Sequence, residues 1–359
     1  MEIGIAGPPG SGKTTVFNAL TRSHIQVGRF TGAEEAHRAV VRVPDQRLAV
    51  LTGMFKPRSV KAAEVQYVDV GGLAKGAGQE SASAVLGHLR TVDAMLLVIA
   101  AFDPSATPAS FLAELDSLET EFMLADLLVI EKRMDRLERE VRMGAGSAGE
   151  RQLKAAELSL LHRLKDVLDR SEPLRTVLVE PDEQILIRSF GLLSAKPTLV
   201  IANVGDEVEA GEALVREAAP LAPGWTSEIL AIGGRLEMEL AELDPEEATE
   251  FMASLGVSQL AADRVIQASY RVLDLISFLT AGEDEVRAWP LRRGATALDA
   301  AGTIHSDLAR GFIRAEVVTY EDLVEAGTFP EARRHGKLRS EGKQYPVQDG
   351  DVINILFNV

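Results

Sequence analysis

Five short apolar runs punctuate the chain: Ile3–Ala6, Val65–Val70, Ala94–Ala101, Thr198–Ala202 and Glu228–Ile232. Each is strand-length and bounded by polar or glycine-bearing segments, so each predicts a buried strand. Stretches with helical spacing lie between several of them. That alternation predicts an α/β fold, a parallel sheet with helices on both faces. It breaks between about Ala109 and Leu192, where the chain is polar, charged and helical. Ile130, Met134, Leu137 and Val141 recur at four-three-four spacing, the seam of a helix pair. Leu153, Leu160, Leu164 and Val167 form a second seam, and Gly144–Gly149 supplies the turn between. An antiparallel helical hairpin inserted into the sheet domain is predicted. Lys132, Arg136 and Arg139 share one face of its first helix. Interleaved acidic residues favour a solvated face over an RNA contact there.

From about Phe278 the texture changes again. Glu285–Leu291 reads as a strand, Arg292–Gly294 as a turn, and Thr296 as a helix cap with Asp299 at the reciprocal position. Leu298, Ala301, Ile304 and Leu308 supply that helix's apolar face. Arg314–Tyr320 reads as a second strand. After the Asp349–Gly350 turn, Ile353, Ile355, Phe357 and Val359 alternate as a final strand. Three domains are expected: residues 1–108 with 192–277, the insert 109–191, and a mixed module over 278–359.

The chemistry announces itself at the first strand. Gly7-Pro8-Pro9-Gly10-Ser11-Gly12-Lys13-Thr14 follows Ile3–Ala6 without a gap and opens a predicted helix, matching G-x-x-x-x-G-K-[ST]. The glycines let backbone N–H groups turn toward phosphate oxygens. Lys13 is expected to reach the β- and γ-phosphates, Thr14 to offer its hydroxyl to Mg²⁺, and the helix N-terminus to add its dipole. Strand Val65–Val70 runs into Asp69-Val70-Gly71-Gly72, a D-x-x-G. There Asp69 would bind Mg²⁺ through water, and the Gly72 N–H would meet the γ-phosphate. An AAA-type ATPase would place an acidic residue where Val70 stands. An adenylate kinase would need an arginine-rich lid, which the helical insert does not resemble. Strand Thr198–Ala202 leads into Asn203-Val204-Gly205-Asp206, where GTP-binding domains place N-K-x-D. Asp206 keeps the guanine acceptor, while Val204 removes the lysine stem, so ATP and GTP both stay open at this point.

Composition narrows the setting. The 359 residues hold no cysteine, which excludes disulfides, thiolate zinc sites and thiol catalysis. No basic segment followed by an apolar run opens the chain, and no run approaches the ~18 apolar residues of a membrane span. A cytoplasmic protein without membrane contact is expected. The net charge of −16 repels nucleic acid unless a local basic patch intervenes. The C-terminal module clusters Arg287, Arg292, Arg293, Arg310 and Arg314 with Arg333, Arg334, Lys337, Arg339 and Lys343, where RNA phosphates would be met.

These motifs together resemble the YchF (Obg-like ATPase) family. The likeness rests on the N-terminal P-loop, Asp69–Leu73, Asn203–Asp206, the helical insert and the C-terminal module. Most specific are Thr280-Ala281-Gly282 with Glu285-Val286-Arg287-Ala288-Trp289, Gly311–Glu316, and Gln348–Val352 through Phe357–Val359, similar to the TGS module that closes the family. The resemblance implies a G-domain of the translation-factor class that prefers ATP and associates with the ribosome or its RNA, with the TGS and helical domains as the expected contacts; no residue stands where one would orient the water, so slow hydrolysis with Mg²⁺ is expected, and no DNA partner is expected. Carried over, Gly7, Pro8, Pro9, Gly10, Ser11, Gly12, Lys13, Thr14 and Thr15 hold the phosphates, and Asn203, Val204 and Asp206 face the base. Thr14, Asp69 and Thr31 attend the metal, and Lys13 and Gly72 the transferred phosphoryl group. Leu73 matches the family's hydrophobic residue at a position where other G-domains carry a water-orienting glutamine. The chain departs from the family at four places. The P-loop reads Pro-Pro-Gly-Ser where Leu-Pro-Asn-Val is usual. Asp206 stands where the family has Glu. The switch threonine falls near Ala33, so the second magnesium hydroxyl is either lost or supplied by Thr31. Phe102–Ser110 lacks the histidine proposed for catalysis. Gln79 and His88 follow D-x-x-G away from the expected place, and His88 reads as a surface or packed helix residue. A nucleotide-gated binding module with negligible turnover and a GTPase of Obg type are the alternatives.

Overall fold

A computed structural model describes residues 1–23, 25, 36–70, 79–143, 147–177, 179–205, 208–222, 228–244, 247, 250–252 and 259–358. Thr31, Ala33, Gly72, Leu73, Asp206 and Val359 lie outside the described residues, as do 144–146 of the Gly144–Gly149 turn. The chain forms two compact units, one of Met1–Ala39 with Tyr67–Ala262, the other of Val40–Gln66 with Asp263–Val359.

The first unit is built on β1 (Glu2–Ala6), β2 (His37–Arg42), β4 (Glu64–Asp69), β5 (Ala94–Ala101), β6 (Thr198–Val204) and β7 (Ile229–Ile232). Their order across the sheet is β2-β4-β1-β5-β6-β7. β2 and β4 cross the unit boundary, so the chain leaves this unit along β2 and returns along β4. The β1, β5, β6 and β7 pairings are parallel, with Ile3 opposite Ala94, Met95 opposite Thr198 and Asn203 opposite Ile232. Parallel strands need helical crossovers, which cover both faces and explain the unbroken apolar runs. Accordingly every residue of β6 is buried. The five predicted strands all form, and β6 extends to Val204, carrying Asn203 inside the strand.

Helices α1 (Lys13–Thr21), α3 (Gln79–Thr91), α7 (Val208–Ala218) and α8 (Gly234–Glu242) belong to this unit. The helical insert consists of α4 (Pro108–Arg142) and α5 (Ala148–Asp169), with the short α6 (Pro181–Ile187) after it. α4 starts where the sequence says it can: Thr107 and Ser110 form a reciprocal cap and Pro108 holds the first turn. Its first half packs Phe111, Leu115, Leu118 and Phe122 into the core of the sheet. Its second half joins α5 in a separate core of Ile130, Met134, Leu137, Leu160, Leu164 and Val167. The seam stops short of its predicted ends, because Val141 and Leu153 are 39% and 61% exposed near the tip, where the core has run out. Arg136 pairs with Glu140 at 2.9 Å and Arg139 Nε donates to Asp135 O, as befits a solvated face.

The second unit carries β3 (Ser59–Lys61), β8 (Leu275–Ala281), β9 (Glu285–Arg292), β10 (Phe312–Thr319), β11 (Arg339–Glu341) and β12 (Asp351–Phe357) in the order β11-β10-β12-β8-β9-β3. Helix α2 (Gln46–Phe55) and the helices α9 (Ala261–Val272) and α10 (Ala297–Ile304) complete its frame. Thr296 and Asp299 cap α10 reciprocally, and Ala297, Ala300 and Ala301 press it onto a core with Phe278, Trp289 and Ile353. α10 ends at Ile304, and Leu308 sits in a separate short helix, Ser306–Arg310. The hydrophobic pattern predicted neither β3 nor α2.

Candidate nucleotide site

Parallel register sends the C-terminal ends of β1, β5 and β6 to one edge of the sheet, the edge at which open α/β sheets bind ligands. The loop Gly7–Gly12 leaves β1 there and turns directly into α1. Gly12 takes φ 86°, and a Cβ on it would collide with Asn203 Nδ2, so only glycine serves. Ser11 is 1% exposed and its Oγ has no hydrogen-bond partner among the described residues.

Lys13 is the first residue of α1 and is only 6% exposed. Its Nζ donates to Gly7 O at 3.0 Å and to Pro8 O at 2.8 Å. The ammonium carries three protons, of which one has no acceptor among the described residues. Burial pulls Lys13 down to about 8, with the Asp69 charge opposing that fall. Thr14 Oγ1 donates to Asp69 Oδ2 at 2.9 Å, bringing together two groups 55 residues apart in the chain. Asp69 ends β4 and is 3% exposed. These are hard oxygen donors, the kind Mg²⁺ takes beside phosphate oxygens and water. No cluster of three or more His, Asp or Glu suited to a metal occurs among the described residues, so a resident all-protein cage is not formed there.

Asn203 stands behind the loop. Its Nδ2 donates to Ser11 O at 2.9 Å, and its Oδ1 accepts from Gly234 N, the start of α8, at 3.2 Å. One amide proton and one lone pair stay uncommitted among the described residues. The side chain of Val204 is 3% exposed and packs in the sheet core against Gly211. It therefore offers a ligand backbone only. Pro8 contributes its carbonyl, and Thr15 is half-buried in the first turn of α1. His88 is half-buried on α3, its carbonyl accepting from Thr91 Oγ1. Sequence reasoning passed over Gly234; the signal was Gly233-Gly234 following an apolar strand, a place where backbones approach closely.

Comparisons with known proteins bear on the family and the fold. A family model described as a 50S ribosome-binding GTPase matches residues 2–132, and YchF-GTPase_C, described as a protein of unknown function, matches residues 275–358. The chain is similar to the ribosome-binding ATPase YchF of Bacillus subtilis, at 38% identity over the whole of both chains. It is 36% identical to the protein of the same name from Haemophilus influenzae, covering 100% of this chain and 99% of that one. Among solved structures, the Schizosaccharomyces pombe YchF GTPase superposes with a TM-score of 0.82 at 29% identity, over 99% of this chain and 97% of that one. With a P-loop G-domain, a long helical insert and a β-rich C-terminal unit, this chain belongs to the YchF family.

Proposed function

We propose that the protein is a slow, Mg²⁺-dependent ATPase whose nucleotide state governs its association with the ribosome. The observation that carries this reading is Lys13: a buried ammonium with one proton uncommitted among the described residues, at a helix N-terminus, beside the Thr14–Asp69 pair. Thr14 and Asp69 would hold Mg²⁺, with Thr31 as the further candidate from the sequence; the ion supplies neutralisation of phosphate charge. Lys13 and the loop amides orient the triphosphate, and Gly72 is the proposed γ-phosphate contact. Phosphoryl transfer is mostly positioning and charge neutralisation. Leu73 offers nothing to orient water, so intrinsic turnover is slow, and an arginine supplied from outside would raise it by about 10³–10⁵. In this reading residues 1–108 and 192–277 turn over nucleotide, while 109–191 and 278–359 meet the ribosome.

The relatives divide over the base: the curated ones are named ATPases and the solved one a GTPase. Asn203 can meet either purine. Val204 supplies no stem to cover guanine, which favours ATP with weak discrimination. Parallel calorimetric titrations with Mg·ATP and Mg·GTP test this, followed by single-turnover hydrolysis with and without ribosomes. ATP preferred over GTP by less than about a hundredfold, roughly 2.7 kcal/mol, is the expected result. Lys13→Ala should abolish binding of both with the circular dichroism unchanged. Strict GTP selectivity would overturn the ATP assignment, and undiminished affinity in Lys13→Ala would overturn the site.

A further inference from the structure

We propose that the outer face of α4 is a docking surface for a basic amphipathic helix of a ribosomal protein. The inference deepens the ribosome association proposed above and rests on it. Its first support is spacing. Glu121, Leu124, Leu128, Glu131, Asp135 and Glu138 follow one another at three-four-three-four-three, the repeat of a helix seam. α4 already has one such seam, through Ile130, Met134 and Leu137, and that one is buried with α5. Leu128 lies half a turn round the helix from Leu137, on the opposite side.

The second support is exposure. Leu124 and Leu128 are 56% and 69% exposed, while Phe122, Met123 and Ile130 around them in the chain are buried. The helix is therefore well packed here, and the two leucines stand on its wet side. A single exposed leucine carries no message. Two on successive turns, at the middle of a seam, give a partner helix apolar area to cover. The four carboxylates of the seam are exposed with them.

Charge names the occupant. The leucines hold the middle of the seam and carboxylates hold both ends, Glu121 before them and Glu131, Asp135 and Glu138 after. Glu131 is partly taken up by Lys165 of α5, at 2.9 Å. Glu121, Asp135 and Glu138 have no ion-pair partner among the described residues. The complementary helix has apolar residues at its centre and Lys or Arg toward both ends, in the same repeat. RNA does not fit this face, because carboxylates repel phosphates and leucine offers bases neither hydrogen bonds nor an aromatic ring. The charge of the chain is distributed to the same effect. Val40–Gln66 with Asp263–Val359 holds 17 basic and 17 acidic side chains, so the whole net charge of −16 resides in the unit that carries α4.

The test uses the full chain and purified ribosomes. Association is followed by sedimentation with Mg·ATP, with Mg·ADP and without nucleotide, and a photocrosslinker is placed at Ser117, one turn before Glu121 on the same stripe. Leu124→Gln with Leu128→Gln removes the apolar centre at little cost in helix propensity. Glu121→Lys with Glu138→Lys reverses the charge of the ends. Ile185→Gln, at an exposed isoleucine of α6, is the control. Each double variant should weaken association by about tenfold or more, Ile185→Gln should match the parent, and crosslinks should fall on ribosomal protein. Mg·ATP affinity and circular dichroism should be unchanged throughout, which separates lost docking from lost fold. Association within twofold of the parent in either double variant overturns the docking surface while leaving the ribosome reading intact. Crosslinks to ribosomal RNA alone overturn the protein occupant. A parent that sediments with ribosomes in none of the three conditions overturns both readings, and this is read before any variant is compared.

Discussion

At the residue scale Lys13 decides the most. Moving its pKa from 10.5 to about 8 sets a cost on the order of 3 kcal/mol against the buried charge. The folded chain alone binds this proton less tightly than the unfolded chain does. Its stability therefore gains as pH rises from about 8 to 10.5, and below 8 the full cost is carried. A triphosphate at Nζ reverses the shift, since a neighbouring anion favours the ammonium. Nucleotide binding should then take up a proton above pH 8, and affinity should fall as pH rises through that value. Calorimetry in two buffers of different ionisation enthalpy should report close to zero uptake at pH 7 and roughly half a proton or more at pH 8.5. Identical apparent enthalpies in both buffers at pH 8.5 would refute the assignment. Lys13 was legible because a short loop fixes it by spacing alone. The second use of Asn203, which ties the Ser11 carbonyl to the start of α8, was not, because its partners lie 192 and 31 residues away.

At the element scale α4 serves two cores, and ion pairs mark where they meet. Glu119 is fully buried and takes a bidentate fork from Arg175 at 3.0–3.1 Å. Burial raises the Glu119 pKa, with Arg175 working against that rise. Seven residues on, Asp126 accepts from Leu193 N, Ser194 N, Ser194 Oγ and Arg90 Nη1 at 2.7–3.0 Å. It thus joins α4 both to the end of α3 and to the segment leading into β6. Arg175→Met should cost about 3–5 kcal/mol by leaving a buried carboxylate unpaired. The double variant Glu119→Leu with Arg175→Met should recover most of that, as read from urea midpoints. A loss below about 1 kcal/mol in Arg175→Met would show that the pair is not desolvated as described. Periodicity found both helices of the hairpin, since their seam repeats locally. It passed over Glu119 and Asp126, whose partners come from distant segments.

At the scale of the whole molecule, the two units hold separate hydrophobic cores, so unfolding should not be two-state. Calorimetric scans should show two transitions, with Mg·ATP raising the midpoint of the P-loop unit more than the other, because binding stabilises the fold that binds. One transition shifted as a single event would contradict this. The amino-acid sequence by itself determined β1, β4, β5, β6 and β7 of the first sheet, the P-loop and its lysine, the caps at Thr296 and Asp299, and the hairpin. All of these depend on spacing within a few turns or on an apolar run long enough to declare a buried strand. Only the tertiary structure decided that Thr14 meets Asp69, that Val204 turns into the core, and that residues 40–66 belong with the C-terminal unit. The reason is physical: β3 is three residues long, with Val60 exposed, and α2 buries only Leu48 and Leu51. Elements so short and so thinly apolar carry almost no periodic signal, and what holds them is β9, Asp349 and Gln267, side chains and a strand more than 200 residues further along the chain.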